Sequence, residues 1–263
     1  AARQAAVQAL CPGSDVAALL DKPNNNLAVE YCKAIIEQNV EMQPIALPRQ
    51  GADHGQALTE SSHTAFASAS ALRALWAEGG AAALAPYVPE KALKLYKQAE
   101  YDGKYTDFAV MGHCELALLR AACAGQAPFA AVRGVSEGLE HRLENAVRET
   151  ASLPALLDAL TTVRYPRARM RRLAMDAALG YTAQTPALPP YLHLLGARKE
   201  ALSLPGETAL PLSHSLARLA RENETCAQMA AAQSRASDLG ALCRTKPEPM
   251  GGIYRQKIIF LTN

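Results

Sequence analysis

The residues best suited to bind a ligand form two polar clusters in the first third of the chain. In the first of them, Asn24, Asn25 and Asn26 follow a proline at the entry to a segment with helical periodicity. Asparagine is common at the N-cap of a helix, where its side chain accepts a backbone hydrogen bond. A cap accounts for one asparagine but hardly for three, so a ligand-binding role stays open beside the structural one.

The second cluster is the segment 67–73, which carries Ser68, Ser70 and Arg73. A helix that begins on these serines exposes hydroxyls and backbone N–H groups that favour an anion. Arg73, one turn into the helix, is able to form a bidentate contact with a phosphate. Arg49, at the end of a strand-like stretch, is a further candidate for a phosphate or base contact. The alternative is an ordinary serine-capped helix with two solvated arginines.

Farther along the chain, arginines are concentrated in one short segment with no acidic residue among them. They are Arg164, Arg167, Arg169, Arg171 and Arg172. Met170 and Leu173 mark the core-facing side of a predicted helix, so the arginines from 167 onward spread over its remaining arc. A solvated basic face is the ordinary interpretation, but this local charge in a nearly neutral chain favours a polyanion. Such a surface holds phosphates without reading sequence.

The elements that must position these residues differ between two parts of the chain. Up to about residue 85, a helix over 25–38, the extended segment EMQPIALPR, a polar loop and a serine-started helix outline an α/β unit. From about Pro86 onward the pattern is almost entirely that of amphipathic helices. We therefore predict an α/β unit over residues 1–85 and a mostly helical domain over 86–263.

Within the helical part, some boundaries and faces are predicted in detail. One helix is expected to start at Ser136–Glu137, and Ser152 is expected to cap the next one. The buried face of the first is marked by apolar residues at helical spacing: Leu139, Leu143, Ala146 and Val147. The leucines Leu192, Leu194 and Leu195 suggest a later helix, and YRQKIIFLTN an extended tail.

Composition limits the class of protein. The 263 residues are 49% hydrophobic and 20% charged with a net charge of +2, so any nucleic-acid surface must be local. The six cysteines are far apart and form no CxxC pair, which is typical of reduced thiols in a cytoplasmic protein rather than of a zinc site. No membrane span, signal peptide, P-loop, HExxH or GxGxxG motif is visible.

Glu137 and Glu140, one turn apart, are interpreted as surface charge rather than as a catalytic pair.

Four elements occur in an order that is more specific than any of them alone: PNNNLAVEYCKAI, PIALPR, ADHG and ASASALR. In this order they resemble the bacterial tRNA(Met) cytidine acetate ligases of the nucleotidyltransferase superfamily. The likeness continues through EGLEHRLENA, RYPRARMRRL, YLHLLG and YRQK, and so covers nearly the whole chain. The resemblance implies an α/β remnant of a Rossmann-like nucleotidyltransferase domain followed by a mostly α-helical, tRNA-binding domain.

The resemblance also implies roles for the first two clusters and for Arg49. Asn24 and Arg49 are similar to the asparagine and the arginine with which the family contacts ATP. Ser68, Ser70 and Arg73 are similar to the phosphate-side residues of the family's ISSTxIR-type element.

The reaction that the resemblance implies joins acetate to ATP as acetyl-adenylate and then acetylates the wobble cytidine of elongator tRNA(Met). The expected partners are thus tRNA, ATP and acetate, with Mg²⁺ alongside ATP, in the cytoplasm and without a membrane. The family's helical region binds tRNA, which agrees with a polyanion surface on the arginine segment.

The chain departs from the family in one respect. The HxGH motif, whose histidines stabilise the phosphates in adenylyl transfer, is absent, and His54, His63 and His113 are not arranged to replace it. The resemblance is therefore to the carboxy-terminal two-thirds of these enzymes, and we expect this polypeptide by itself to be catalytically inactive. Two alternatives remain: a nucleotidyltransferase-superfamily protein with another acceptor, and a non-enzymatic helical RNA-binding module.

Overall fold

The structure is a computed structural model that describes residues 2–20, 22–47, 67–201 and 208–261. The chain falls into two compact units, Ala1–Arg73 and Ala74–Asn263. The functional division predicted from the sequence, 1–85 and 86–263, stays a prediction.

Helices account for most of the described residues. They are α1 (Ala2–Leu10), α2 (Val16–Leu19), α3 (Pro23–Glu37), α4 (Ala69–Gly79), α5 (Glu90–Asp102), α6 (Phe108–Ala122), α7 (Leu139–Glu149), α8 (Leu153–Leu160), α9 (Arg167–Ala178), α10 (Leu216–Leu219), α11 (Glu224–Leu242) and α12 (Gly252–Arg255). The strands are β1 (Leu192–His193), β2 (Gly196–Arg198), β3 (Leu212–Ser213) and β4 (Ile259–Leu261). None of the described helices is long and apolar enough to cross a membrane.

The first unit contains α3, the helix that begins with the asparagine run. Pro23 is its first residue, a position whose N–H has no helical acceptor, so proline costs no hydrogen bond there. Helix α1 contacts α2, and Arg3 on α1 forms an ion pair with Glu30 on α3. Residues 40–47, predicted to be strand-like, contain no helix, and within the described ranges they pair with no strand.

The core of the second unit lies where α6, α7, α8 and α9 pack against one another. The face predicted for α7 is buried there, together with the apolar stripe of α9. The buried members of this core are Leu116, Leu119, Phe129, Val132, Leu139, Leu143, Ala146, Val147, Leu156, Leu157, Leu160, Met170, Leu173, Ala174 and Ala177. The Ser152 hydroxyl accepts a hydrogen bond from the Ala155 N–H at 3.3 Å, which confirms the predicted cap of α8.

Helix α7 begins later than the sequence pattern predicted. The expected start was Ser136–Glu137, whereas the helix begins at Leu139 with Gly138 at its N-cap. Glu137 has a φ of 56° and Gly138 a φ of 80°. Backbone in this left-handed region cannot continue a right-handed helix, so these residues form a turn and the helix starts after it.

Two small parallel sheets lie in the second unit, where β1 pairs with β3 and β2 pairs with β4. The Leu194 N–H donates to the Ser213 carbonyl at 2.9 Å, and the Leu195 carbonyl accepts from the Ile259 N–H at 3.1 Å. The helix predicted around these leucines is therefore wrong, because their backbone groups bond to strands that are distant in sequence. The extended tail predicted from Tyr254 onward is confirmed in β4, but Tyr254 and Arg255 belong to helix α12 instead.

Candidate functional site

The asparagine run lies in the first turn of α3, in the first unit. The N-cap is Lys22 rather than an asparagine. Asn26 is half-buried, and its side-chain amide donates to the Leu20 carbonyl at 2.7 Å and to the Lys22 carbonyl at 3.3 Å. Asn26 therefore holds the chain that enters α3, whereas Asn24 is exposed at the start of the helix and is the asparagine best placed to meet a ligand.

The serine cluster opens α4 as the sequence predicted. Ser68 is only 4% exposed, and its hydroxyl accepts a hydrogen bond from the Ala71 N–H at 3.2 Å, so it caps the helix. The Ser68 and Ser70 hydroxyls are 3.0 Å apart and share a hydrogen bond. Ser70 and Arg73 are exposed and three residues apart, so they lie on the same side of the first turn. The structure thus distinguishes a buried capping serine, Ser68, from Ser70 and Arg73, whose side chains are exposed to solvent.

Arg49 cannot be placed in this arrangement, because it lies outside the described residues. Its assignment as a nucleotide-contacting residue stays a prediction.

Two arginines of the basic segment are paired with acids from other elements. Arg164 forms an ion pair with Glu137, in the turn before α7, and Arg167 forms an ion pair with Asp158 on α8. The segment contains no acid of its own, but the fold brings these two carboxylates to it. They lower the positive charge that the surface presents to a ligand.

The remaining arginines of the segment differ in exposure. Arg169 is half-buried, with its guanidinium carbon 5.1 Å from the centre of the Tyr165 ring. Arg171 and Arg172 are exposed in the first half of α9, and within the described ranges neither has a hydrogen-bond or ion-pair partner for its guanidinium. These two side chains are therefore the strongest candidates for contacts with an external polyanion.

A buried acid, Glu115, lies behind this basic surface. It is 1% exposed on α6, the helix that packs against α9, and its Oε1 atom has no hydrogen-bond partner among the residues described. Burial raises the pKa of Glu115 to about 7, and the Arg171 guanidinium opposes that shift. The carboxyl group therefore exchanges its proton near neutral pH.

Residues 134–138 have the spacing G-x-S-x-G, which is found at the nucleophile of many serine hydrolases. In those enzymes a strand precedes the serine and a histidine accepts its proton. Among the residues that the structure describes, no strand leads into Ser136 and no histidine is a partner of its hydroxyl. The backbone carbonyl of Ser136 instead accepts from the Leu139 N–H at 3.2 Å, so the residues serve as the turn into α7.

The chemistry available at the candidate residues is hydrogen-bond donation and positive charge. In the described part of the chain, no group of three or more His, Cys, Asp or Glu side chains is placed to hold a metal ion. All six cysteines carry free thiols. Amide, hydroxyl and guanidinium donors of this kind suit phosphate groups.

Comparison with protein families and with named proteins gives a consistent result. The family model described as HIGH Nucleotidyl Transferase matches residues 1–251. A tRNA(Met) cytidine acetate ligase of Listeria monocytogenes serotype 4b is 30% identical over 183 residues, which are 69% of this chain and 45% of that protein. The protein of the same name from a Geobacillus species is 29% identical over 185 residues, 67% of this chain and 45% of that protein. The chain thus spans less than half the length of these relatives.

Solved structures share the fold. The apo form of Thermotoga maritima TmcAL matches with a TM-score of 0.77 at 21% identity, covering 92% of this chain and 62% of that one. A form of the same protein bound with alpha-thio ATP matches with a TM-score of 0.76 at 19% identity, covering 94% of this chain and 62% of that one. The predicted fold class, a nucleotidyltransferase-type α/β part with a mostly helical part, is confirmed.

The resemblance inferred from the four ordered sequence elements is therefore confirmed at the level of the family. The match extends over nearly the whole chain, and it includes both the asparagine run of α3 and the serine-capped start of α4. The chain belongs to the HIGH nucleotidyl transferase family.

Proposed function

We propose that this chain serves a tRNA-modifying ligase that activates acetate with ATP and acetylates the wobble cytidine of elongator tRNA(Met). The observation that carries the proposal is the start of α4, where Ser70 and Arg73 are exposed beside a buried serine cap in a nucleotidyl transferase family member. The names of the relatives and the alpha-thio ATP bound to the structural neighbour support it. A tRNA substrate implies that the protein acts in the cytoplasm.

The proposed reaction has two steps. In the first, an acetate oxygen attacks the α-phosphorus of ATP, the bond from the α-phosphorus to the bridging oxygen breaks, and pyrophosphate leaves. In the second, the exocyclic amine of cytidine attacks the acetyl carbonyl carbon, the bond to the phosphate oxygen breaks, and AMP leaves as the nitrogen loses a proton. Negative charge on phosphate oxygens dominates both steps, so positioning and charge stabilisation are the protein's contributions.

We assign ATP binding to Asn24, Arg49, Ser70 and Arg73, with Ser68 holding the turn that presents Ser70. The exposed hydroxyl and guanidinium on α4 face the phosphates, where the N-terminal end of a helix adds a favourable partial charge. Mg²⁺ enters with ATP in this proposal and takes its ligands from phosphate oxygens and water, as the ion commonly does.

A second candidate function is a helical RNA-binding module without catalysis. It is favoured by the exposure of Arg171 and Arg172 together with the absence of an HxGH motif from the sequence. A third, a nucleotidyltransferase with another acceptor, differs from the proposal only in the acid that is activated.

Asn24→Ala is expected to weaken the binding of ATP to the 263-residue chain by about ten- to a hundredfold, because a hydrogen bond to a charged group contributes roughly 1.5–3 kcal/mol. Arg49→Ala is expected to weaken it at least as much, through the loss of a positive charge. Isothermal titration calorimetry with ATP measures both effects. Gln98→Ala, which removes an exposed side-chain amide from α5, serves as the control and should leave ATP affinity unchanged.

The outcomes of this experiment separate the candidate functions. ATP binding that is lost in both variants supports the assigned site, whereas tight tRNA binding without ATP binding favours the RNA-binding module. We expect no acetate-dependent ATP–pyrophosphate exchange by this chain alone, because it lacks the HxGH histidines. Exchange by the isolated chain would show that this expectation is wrong, and exchange that needs a different acid would favour the related transferase.

Asp158→Asn is expected to strengthen tRNA binding two- to fivefold in low salt. The substitution removes the carboxylate that pairs with Arg167 and so frees one guanidinium for phosphate. Fluorescence anisotropy with labelled tRNA at about 0.05 M salt measures the change, which should shrink as salt screens the charge. Glu90→Gln, which releases Lys94 on α5, is the matched control and should change affinity less than Asp158→Asn.

A further inference from the structure

A cleft of about 440 Å³ lies beside the arginine segment, in the second unit. Its volume falls within the range of sites that take small ligands, which is about 300–1,000 Å³. Glu137 lies at one edge, Arg142, Asn145 and Glu149 line a wall, and Tyr165 closes another side. Aromatic, amide and charged groups therefore converge on one concave surface.

The polar wall of the cleft is a single stripe of helix α7. Arg142, Asn145 and Glu149 are separated by three and four residues, so they lie one above the other, away from the buried face that contains Leu143 and Val147. The Arg142 guanidinium donates to the Ala159 carbonyl at 2.7 Å. This bond fixes the guanidinium across the cleft while most of its N–H groups stay available.

Asn145 has the chemistry to read a base edge. Its side chain is exposed at the cleft, and its amide makes no hydrogen bond to any other residue that the structure describes. A carboxamide offers one acceptor and two donors in a plane, which matches the edge of a nucleobase. Glu149, one turn farther along the same stripe, adds an acceptor for amino groups.

Tyr165 forms the aromatic side of the cleft. Its ring is half-buried, and its hydroxyl donates to Glu137 Oε2 at 3.4 Å. The guanidinium carbons of Arg164 and Arg169 lie 5.7 Å and 5.1 Å from the centre of the ring. Because Arg169 and Arg172 are three residues apart on α9, positive charge continues from the ring along one side of that helix.

The rim of the cleft contains a rare backbone conformation. Glu137 has a φ of 56°, which an L-residue with a side chain seldom adopts. Its carboxylate forms an ion pair with Arg164 and accepts a hydrogen bond from the Tyr165 hydroxyl. The turn therefore places one carboxylate beside the aromatic side of the cleft. Such conformations cost free energy and are concentrated at binding sites.

We propose that this cleft receives one unpaired nucleobase of the RNA that the arginine segment binds. In this arrangement the base lies against Tyr165, Asn145 hydrogen-bonds to its edge, and the flanking phosphates contact Arg169 and Arg172. RNA recognition of this kind is typical of loops, whose unstacked bases meet aromatic side chains and amides. The inference rests on the RNA binding proposed above and adds selectivity for unpaired over paired RNA.

The test compares two RNAs of equal length, a stem with a single-stranded loop and a blunt duplex, by fluorescence anisotropy with the 263-residue chain. Asn145→Ala is expected to weaken stem–loop binding about fivefold, in the range of one lost base contact, and to leave duplex binding unchanged. Arg172→Ala, the control, is expected to weaken both RNAs alike. In a series of stem–loops, each loop nucleotide is replaced in turn by an abasic site. At one position the RNA without its base should bind the unchanged chain and the Asn145→Ala variant with the same affinity.

The results distinguish failure of this inference from failure of RNA binding. If Arg172→Ala weakens both RNAs while Asn145→Ala weakens neither, the cleft does not hold a base although the basic surface binds RNA. If Asn145→Ala weakens both RNAs equally, the residue contacts RNA without selecting unpaired bases, and the inference is wrong. If the unchanged chain binds neither RNA, the proposed RNA binding itself fails. Equal melting temperatures of the variants show that the fold is intact.

Discussion

Replacing Arg171 and Arg172 together by alanine is expected to weaken tRNA binding on the order of 100-fold at about 0.05 M salt. Both side chains are exposed, and among the described residues neither forms a hydrogen bond or an ion pair with an acid, although the Arg171 guanidinium favours the charged form of the buried Glu115. Each arginine that contacts a phosphate releases about one counterion, so each contributes roughly tenfold in affinity at this salt concentration. Anisotropy titrations over a series of salt concentrations measure both the affinity and its salt dependence.

The salt dependence is the sharper readout, because the loss of two phosphate contacts lowers the slope of log affinity against log salt by about two. The matched control is Lys91→Ala with Lys97→Ala, which removes the same charge from α5. If binding follows only net charge, the two double variants will behave alike, and the assignment of the tRNA surface to α9 is then wrong. A large loss confined to the arginine variant supports the assignment.

The sequence predicted the buried face of α9 and the cluster of arginines, but not which of these arginines form ion pairs with acids. Five arginines without a neighbouring acid indicate a polyanion surface, and helical spacing correctly places Met170 and Leu173 in the core. The partners of Arg164 and Arg167, however, lie in other elements. Sequence spacing carries no information on which distant acid the fold brings close.

The serine caps of α4 and α8 and the buried face of α7 were predictable because they depend on residues within one or two turns. Leu143 is fully buried, as its spacing indicated, and Ser152 caps α8. The parallel strands β1 and β2 were missed for the opposite reason. They are too short to show an alternating pattern, and the hydrogen bonds that define them come from β3 and β4, far along the chain.

The assignment of a nucleotide site to the start of α4 stays a prediction, and the structure distinguishes its two serines. A serine at the start of a helix suits a cap and an anion contact equally well, so sequence could not separate Ser68, which is buried, from Ser70, which is exposed. The Tyr165 cleft was missed, although an aromatic residue between arginines is a signal for RNA contact. Glu115 was also missed; its signal is an acid four residues before Leu119, on the buried face of α6.

That buried acid gives the second large expected effect, on stability rather than on binding. The folded state raises the pKa of Glu115 from 4.5 to about 7, because burial penalises the carboxylate more than Arg171 favours it. The folded state therefore binds the proton more tightly than the unfolded state does. The resulting stability is fully present below about pH 4.5 and is lost as pH rises through about 7.

Glu115→Gln is expected to remove this pH dependence, which amounts to about 2.5 kcal/mol between pH 5 and pH 8 for a shift of this size. Urea unfolding at pH 5, 6, 7 and 8 measures it as the difference in unfolding free energy between the variant and the unchanged chain. A glutamine amide buried in the core itself lowers the unfolding free energy at every pH. The decisive result is therefore how the difference in unfolding free energy between the two proteins changes with pH, not its value at one pH.

Two further variants make the result specific to the buried carboxyl group. Glu115→Met removes both the charge and the polar atoms from the core, so it should stabilise the chain most at pH 8 and flatten the same dependence. Glu149→Gln removes an exposed carboxylate and should leave the dependence in place. If the unfolding free energies of Glu115→Gln and the unchanged chain run parallel from pH 5 to pH 8, Glu115 keeps an ordinary pKa. Its environment would then be more polar than the packing of α6 against α9 indicates.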